Sequence, residues 1–479
     1  MKWCFLLNQV DYLIEFLNKL SLETLNQGDE CIVIANSKIS EFTKKRFFTD
    51  KRIKIISKVD WLEKNYKKGP NKYLENLSWK EFFPTYDRKS TTKSFTFNYD
   101  NSIEIVSQLY QFIDFVFKTE KPKYIVSSLP SNIFSEIIYY FCEKNNISYL
   151  GFIGSRIKGQ IDIFDLKYTC SRYKKSFEKI RYNDLSNKEH EFAKNFVLDF
   201  ITHKKIPSYE KKPSAYKPIT SLKRYIKREK EILKYILKYY SIRKCVKQFD
   251  YESEAVFKHH LIYIWYAIKR YFRILTFKNI FDKVNDKDKF FLFPLHIQPE
   301  ASTSVLATYF SDQINSAKNA AFSLPFGYKL YVREHPSSIG YNTKSFYKKL
   351  KQIPNIVLIS TKENMEDLIK KSQGVVTLTS TVGMETALIG KHSYILGNVF
   401  YTYHPLCQKI NSFEELKEKI REQINNKNKI SKEELEKINS RFIISYFNNT
   451  VVGDINAAHI ENDTNNYNTI YNFCKTFTK

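Results

Sequence analysis

The feature that most constrains this chain is a regular alternation of apolar and amphipathic runs between residues 289 and 397. Residues 289–295 (KFFLFPL), 328–336 (YKLYVREHP), 355–360 (NIVLIS), 374–380 (GVVTLTS) and 393–397 (SYILG) read as strands. Between them, residues 304–324, 343–353, 365–372 and 381–390 place apolar side chains at helical spacing. Strands separated by helices at roughly 15–20 residues are not joined by hairpins; they form a parallel sheet with helices on both faces. The first 160 residues show a looser form of the same pattern. Strands are expected at 2–8, 30–36, 52–57, 121–130 and 147–154, and helices at 10–28, 103–118 and after Ser131 as N-cap.

A chain of 479 residues is long enough for about two to four domains, each with its own core. Residues 204–218 hold three prolines among lysines and read as a linker, and 221–280 read as basic, aromatic helices. Beyond 411, Ser412 with Glu415 and Ser431 with Glu434 have capping-box spacing. The expected class is α/β, with Rossmann-like domains at 1–200 and 286–410, a basic helical insertion at 201–285 and C-terminal helices at 411–479.

Several classes are excluded. Apolar residues make up 43% of the chain, too many for intrinsic disorder, and 12 glycines are too few for a collagen-like chain. Seven scattered cysteines without a CxxC pair fit a reducing compartment. The longest apolar candidate, 261–268 (LIYIWYAI), is far shorter than the ~18 residues of a membrane span, and the N-terminus turns polar too soon for a signal peptide. A cytoplasmic protein is expected. GxxxxGK[ST] is absent, which disfavours nucleoside-triphosphate hydrolysis.

Polar clusters follow the expected strands, where open α/β sheets bind ligands. Residues 293–304 (FPLHIQPEASTS) run from a strand through His296 and Gln298 to a helix opening at Glu300, Ser302 and Thr303. Free N–H groups and hydroxyls at a helix start attract phosphate, with His296 supplying charge or a proton. In 331–338 (YVREHPSS), Pro336 holds His335 extended beside Arg333, within reach of a base or phosphate. In 377–391, Ser380 and Thr381 offer hydroxyls, Gly383 permits close backbone approach, and Glu385 can accept two sugar hydroxyls. In the N-terminal half, Ser131, Asn132, Glu136, Arg156 and Asp162 could bind an acceptor or supply a catalytic carboxylate. Ordinary capping and solvated surface charge compete with each of these readings.

The order LHIQPEAST, VREHP, TSTVGMETALIGK resembles the capsule polysaccharide biosynthesis family, which includes bacterial Kdo transferases of the GT-B glycosyltransferase fold. It is distantly similar to the polyol-phosphate polymerases of teichoic acid synthesis. The resemblance covers about 289–400 and, more weakly, 121–165. It implies two Rossmann-like domains facing a cleft, the acceptor on 1–200 and a CMP- or UDP-linked sugar donor on 286–410. By this carry-over His335 contacts the nucleotide, Ser380 and Thr381 hold phosphate, Glu385 holds ribose, and the His296–Thr303 turn faces the donor phosphate or sugar. The sequence departs from the family at Glu385-Thr386, where Glu-Ala is frequent, and at Gly390-Lys391-His392, where Gly-Lys-Pro is frequent.

The implied activity is transfer of a sugar, Kdo or a related acidic sugar, from a nucleotide donor to a surface glycan or lipid-linked acceptor. His296, Glu300, Glu136 and Asp162 are the candidates for proton transfer. No metal site and no cofactor besides the donor are expected. Two rival readings are a CDP-polyol phosphotransferase and a non-catalytic capsule-assembly protein. Net charge is +26, and residues 201–290 hold 23 Lys/Arg against nine Asp/Glu. Basic helices with aromatic flanks suit an anionic membrane surface, whereas no nucleic-acid module is recognisable.

Overall fold

The computed structural model describes residues 1–6, 11–69, 74, 77–82, 99–164, 170–202, 249–250, 265, 268–277, 279–426, 430–456 and 463–477. Most of the expected basic insertion lies outside the described residues. Two units are present. The first takes in the described residues of Met1–Leu166, Ile219–Trp265 and Thr450–Lys479, and the second those of Lys167–Pro218 and Tyr266–Asn449.

The first unit is built on β1 (Lys2–Leu6), β2 (Glu30–Ala35), β3 (Lys54–Ser57), β4 (Tyr124–Ser127), β5 (Ser148–Gly154) and β6 (Gln160–Phe164). Their spatial order is β3-β2-β1-β4-β5-β6, the doubly wound order that reverses between β1 and β4. β1 to β5 are parallel, as the alternation requires. β6 turns back antiparallel on β5, and a two-residue edge strand, Val451–Val452, pairs antiparallel with β6. The helix Ile133–Lys144 follows β4; its cap is Asn132, not Ser131, in a reciprocal box with Ser135. The C-terminal tail, unassignable by pattern, forms the helix Tyr467–Lys475 on this unit. Its Tyr471 stacks on Trp3, and both donate hydrogen bonds to Asp29.

The second unit is a six-stranded parallel sheet. Its strands are β7 (Lys289–Pro294), β8 (Tyr328–Arg333), β9 (Ile356–Ile359), β10 (Val375–Thr377), β11 (Ser393–Ile395) and β12 (Cys407–Lys409). The order is β9-β8-β7-β10-β11-β12, again reversing at the centre, between β7 and β10. In β7, Phe290 and Leu292 enter one core cluster and Phe291 and Phe293 another, so an unbroken apolar run is needed to bury both faces. Two Rossmann-like α/β units in one chain are the parts of the GT-B-like class expected from the sequence.

Three expectations are corrected. The helix expected over 304–324 is broken: a short turn, Ala301–Ser304, is followed by the separate helix Gln313–Phe322, which Asp312 starts by accepting from the backbone of Ile314 and Asn315. The domain boundaries also shift. Residues 171–201 form helices that belong to the second unit, where Ser445 donates to the Tyr173 carbonyl and Arg441 to those of Phe177 and Ile180. The expected C-terminal block divides, with the helices Phe413–Asn425 and Lys432–Phe447 in the second unit and the tail in the first. Among the described residues no helix is long and apolar enough to cross a membrane.

Candidate functional site

The second unit's sheet reverses at the carboxyl ends of β7 and β10, the place where open α/β sheets form a crevice. His296 follows β7, Thr379, Ser380 and Thr381 follow β10, Arg333 ends the adjacent β8 and His335 follows it. Three of the expected clusters therefore stand on neighbouring strands along one sheet edge.

Hydrogen bonds tie these loops together. Thr379 N–H donates to His296 Nε2 at 3.2 Å, and Thr379 Oγ1 donates to the Ser302 carbonyl at 3.0 Å. Gln313, from the helix behind, bonds both main-chain groups of His296, at 2.6 and 3.1 Å, and its amide donates to Gln298 Oε1 at 2.8 Å. Gly397 makes this closeness possible: a Cβ there would lie 2.5 Å from Thr379 Cγ2 and 2.7 Å from the Leu378 carbonyl. Neither Gln313 nor Gly397 belongs to a motif recognisable in the sequence.

His296 is buried, and burial, helped by nearby His335, pushes its pKa down to about 3. With Nε2 accepting from Thr379, the neutral ring carries its proton on Nδ1, which has no hydrogen-bond partner among the described residues. His296 is thus a neutral N–H donor at ordinary pH, not the charge or proton source expected. His335 is extended, as Pro336 requires, and its Nδ1 accepts from Ser337 N–H at 3.1 Å, leaving the proton of a neutral ring on Nε2.

The acidic and cationic groups divide between site and scaffold. Arg333 is buried and donates to the carbonyls of Thr361 and Glu363, while its Nε is unpartnered among the described residues. Burial lowers its pKa, against the attraction of Glu385, Glu334 and Glu363, and it remains cationic. Glu385 is buried in the first turn of Val382–Leu388 and lies within electrostatic range of Arg333. Glu334 is structural, accepting from Tyr347, Asn342 and the His335 backbone. Glu300 is half-buried and accepts from Ser302 Oγ at 2.9 Å. Thr303 is fully buried and its hydroxyl bonds the Glu300 carbonyl, so it anchors the turn.

Ser380 Oγ accepts from Val382 N–H at 3.3 Å, its carbonyl accepts from Tyr401, and Thr381 sits at the cap position without a side-chain cap bond. Gly383 differs from expectation. A Cβ there would lie 2.7 Å from Tyr401 Oη and 2.8 Å from Ser393 Oγ, so the glycine admits the protein's own side chains rather than a ligand. Lys391 is structural too, donating to carbonyls that end the helix Met365–Lys371.

Glu136 and Asp162 lie in the first unit. Glu136 is buried beyond β4; burial pushes its pKa up to about 8, and Oε1 has no partner among the described residues. It is protonated at neutral pH and suits an acid better than a base. Asp162 is not at a strand end: it is fully buried within β6, opposite Ile153. Among the described residues no group of three His, Cys, Asp or Glu is placed to hold a metal ion.

Residues 218–446 match the family model described as capsule polysaccharide biosynthesis protein. Comparison with curated proteins found no match. Similar solved structures include a β-Kdo 2,7 transferase, KpsC of Thermosulfurimonas dismutans, at 11% identity and TM-score 0.35, covering 72% of this chain and 87% of that one. The β-Kdo 2,4 transferase of the same protein gives 12% and 0.36, covering 67% and 80%. A UDP-GlcNAc 2-epimerase from Neisseria meningitidis gives 12% and 0.24, covering 93% and 99%.

Proposed function

We propose, from the match of residues 218–446 to the model of the capsule polysaccharide biosynthesis family, that this protein is a glycosyltransferase of surface polysaccharide assembly. The donor is a nucleotide-linked sugar, of the acidic Kdo type in the first instance, and the acceptor is a glycan or lipid-linked glycan at the inner face of the membrane. The observation that carries the reading is the bond between His296 and Thr379. It fastens the loops after β7 and β10 at the point where the sheet reverses, beside His335.

In this reading His296 Nδ1–H, His335 and the Ser380–Thr381 turn donate to the donor phosphate, and Glu385 accepts from ribose hydroxyls. Buried Arg333 supplies positive potential that favours the leaving nucleotide. The acceptor hydroxyl attacks the anomeric carbon, the bond from that carbon to the phosphate oxygen breaks, and the nucleotide leaves with the bonding pair. Glu300 takes the hydroxyl proton. Glu300→Gln should lower kcat by about 10²–10⁴-fold while nucleotide binding persists.

The reading is tested by thermal unfolding with CMP, CDP, UDP and GDP, repeated on His335→Ala and Glu385→Ala. One nucleotide at about 100 times its dissociation constant should stabilise the wild type by roughly 2.7 kcal/mol, and the variants much less. No stabilisation by any of the four contradicts it. Release of CMP with transfer of polyol phosphate from CDP-glycerol would replace sugar transfer by phosphotransfer.

A further inference from the structure

Two arginines of the basic stretch bond the chain's own backbone beside the candidate site. Arg270 and Arg273 stand half-buried on a helix over 268–275. Arg270 Nε donates to the Ile339 carbonyl at 2.6 Å and its Nη2 to that of Ser337 at 2.9 Å. Arg273 Nη1 donates to the Tyr341 carbonyl at 2.8 Å. The Arg270 guanidinium also lies 4.1 Å from the centre of the Tyr341 ring. Gly340, at φ +81°, admits this approach: a Cβ there would lie 2.7 Å from Arg270 Cγ and 3.0 Å from the Arg270 carbonyl. The carbonyls belong to a turn, where no regular ladder satisfies them, and a planar guanidinium fork can bridge two at once.

The same turn sets the state of His335. Ser337 N–H donates to its ring Nδ1 at 3.1 Å, and Ser338 N–H to its carbonyl at 2.9 Å. An imidazole whose Nδ1 accepts keeps its proton on Nε2 when neutral; the other tautomer would turn a lone pair at Nε2 toward a phosphate oxygen. Arg270 grips Ser337 by its carbonyl, and Ser337 fixes the ring by its N–H. We propose that Arg270, supported by Arg273, is a positioning residue that holds His335 as the Nε2–H tautomer. The proposal rests on the reading of His335 as a nucleotide contact, and assigns to the helix 268–275 the task of keeping that contact a donor.

The first test needs no nucleotide. The ring nitrogens of His335 are observed by NMR in the full chain labelled with 15N-histidine, at about pH 8.5, where an ordinary imidazole is neutral. The signal is identified by its loss in His335→Ala. Wild type should show Nε2–H alone. Arg270→Ala should bring in the Nδ1–H form, and so should Arg270→Lys, which keeps the charge but lacks the fork. Phe272→Ser, on the exposed face of the same helix, should not. A tautomer unchanged in Arg270→Ala, or shifted equally by Phe272→Ser, overturns the proposal. The second test is a double-mutant cycle on affinity for whichever of CMP, CDP, UDP and GDP stabilises wild type most. Arg270→Ala should weaken binding on the order of tenfold in wild type and less than about twofold in His335→Ala. Equal losses in both backgrounds, or full affinity in Arg270→Lys, overturn it by making Arg270 a direct cationic contact. If none of the four binds wild type, the nucleotide reading fails, and the tautomer alone decides whether Arg270 positions the ring.

Discussion

Glu136 and His296 are both buried, and the consequences run in opposite directions. Glu136 binds its proton more tightly folded, with its pKa pushed up to about 8, than unfolded, so between about pH 4.5 and 8 the unfolded state is the more ionised and stability falls as pH rises. Glu136→Gln should relieve this: its gain over wild type in thermal unfolding should grow from pH 5 to pH 8, reaching on the order of a few kcal/mol. A gap that stays constant with pH would mean that the carboxyl is ionised in the fold. His296 binds its proton less tightly folded, so its contribution is intact above about pH 6.5 and is lost as pH falls toward about 3. These residues were legible in the sequence as polar groups near strand ends. Their protonation was not, since it is set by surroundings that the fold assembles from distant positions.

At the scale of elements, the strands of the second unit were legible because burial on both faces forces unbroken apolar runs such as FFLF in β7. The break inside 304–324 was not, because Val305, Leu306 and Phe310 continue an apolar pattern while Asp312 ends it by capping the next helix. That break matters for the site. A four-residue turn has little dipole to offer a phosphate, so the side chains of the edge carry the recognition. Close packing of the loops is the other determinant. Gly397→Ala should cost about 1–3 kcal/mol and weaken nucleotide binding as well, because its methyl would displace Thr379, the partner of His296. Unfolding and nucleotide titration of this variant would check both effects.

For the whole molecule, alternation revealed two α/β units but not which terminal helices each keeps. The tail reads as polar, yet Ile470, Tyr471 and Cys474 are buried and complete the first unit from the far end of the chain. A periodic face of so few residues carries little signal until Trp3 and Asp29 are placed beneath it. Ile470→Ala should destabilise the first unit by about 2–5 kcal/mol, seen in unfolding, and leave nucleotide affinity unchanged. The central claim, that the second sheet's reversal point holds the nucleotide, is tested most directly by hydrogen exchange with and without the nucleotide that stabilises best. Protection confined to peptides spanning 295–304, 334–341 and 378–386 is the predicted result; protection at the ends of β1 and β4 instead, with these peptides unchanged, would contradict it.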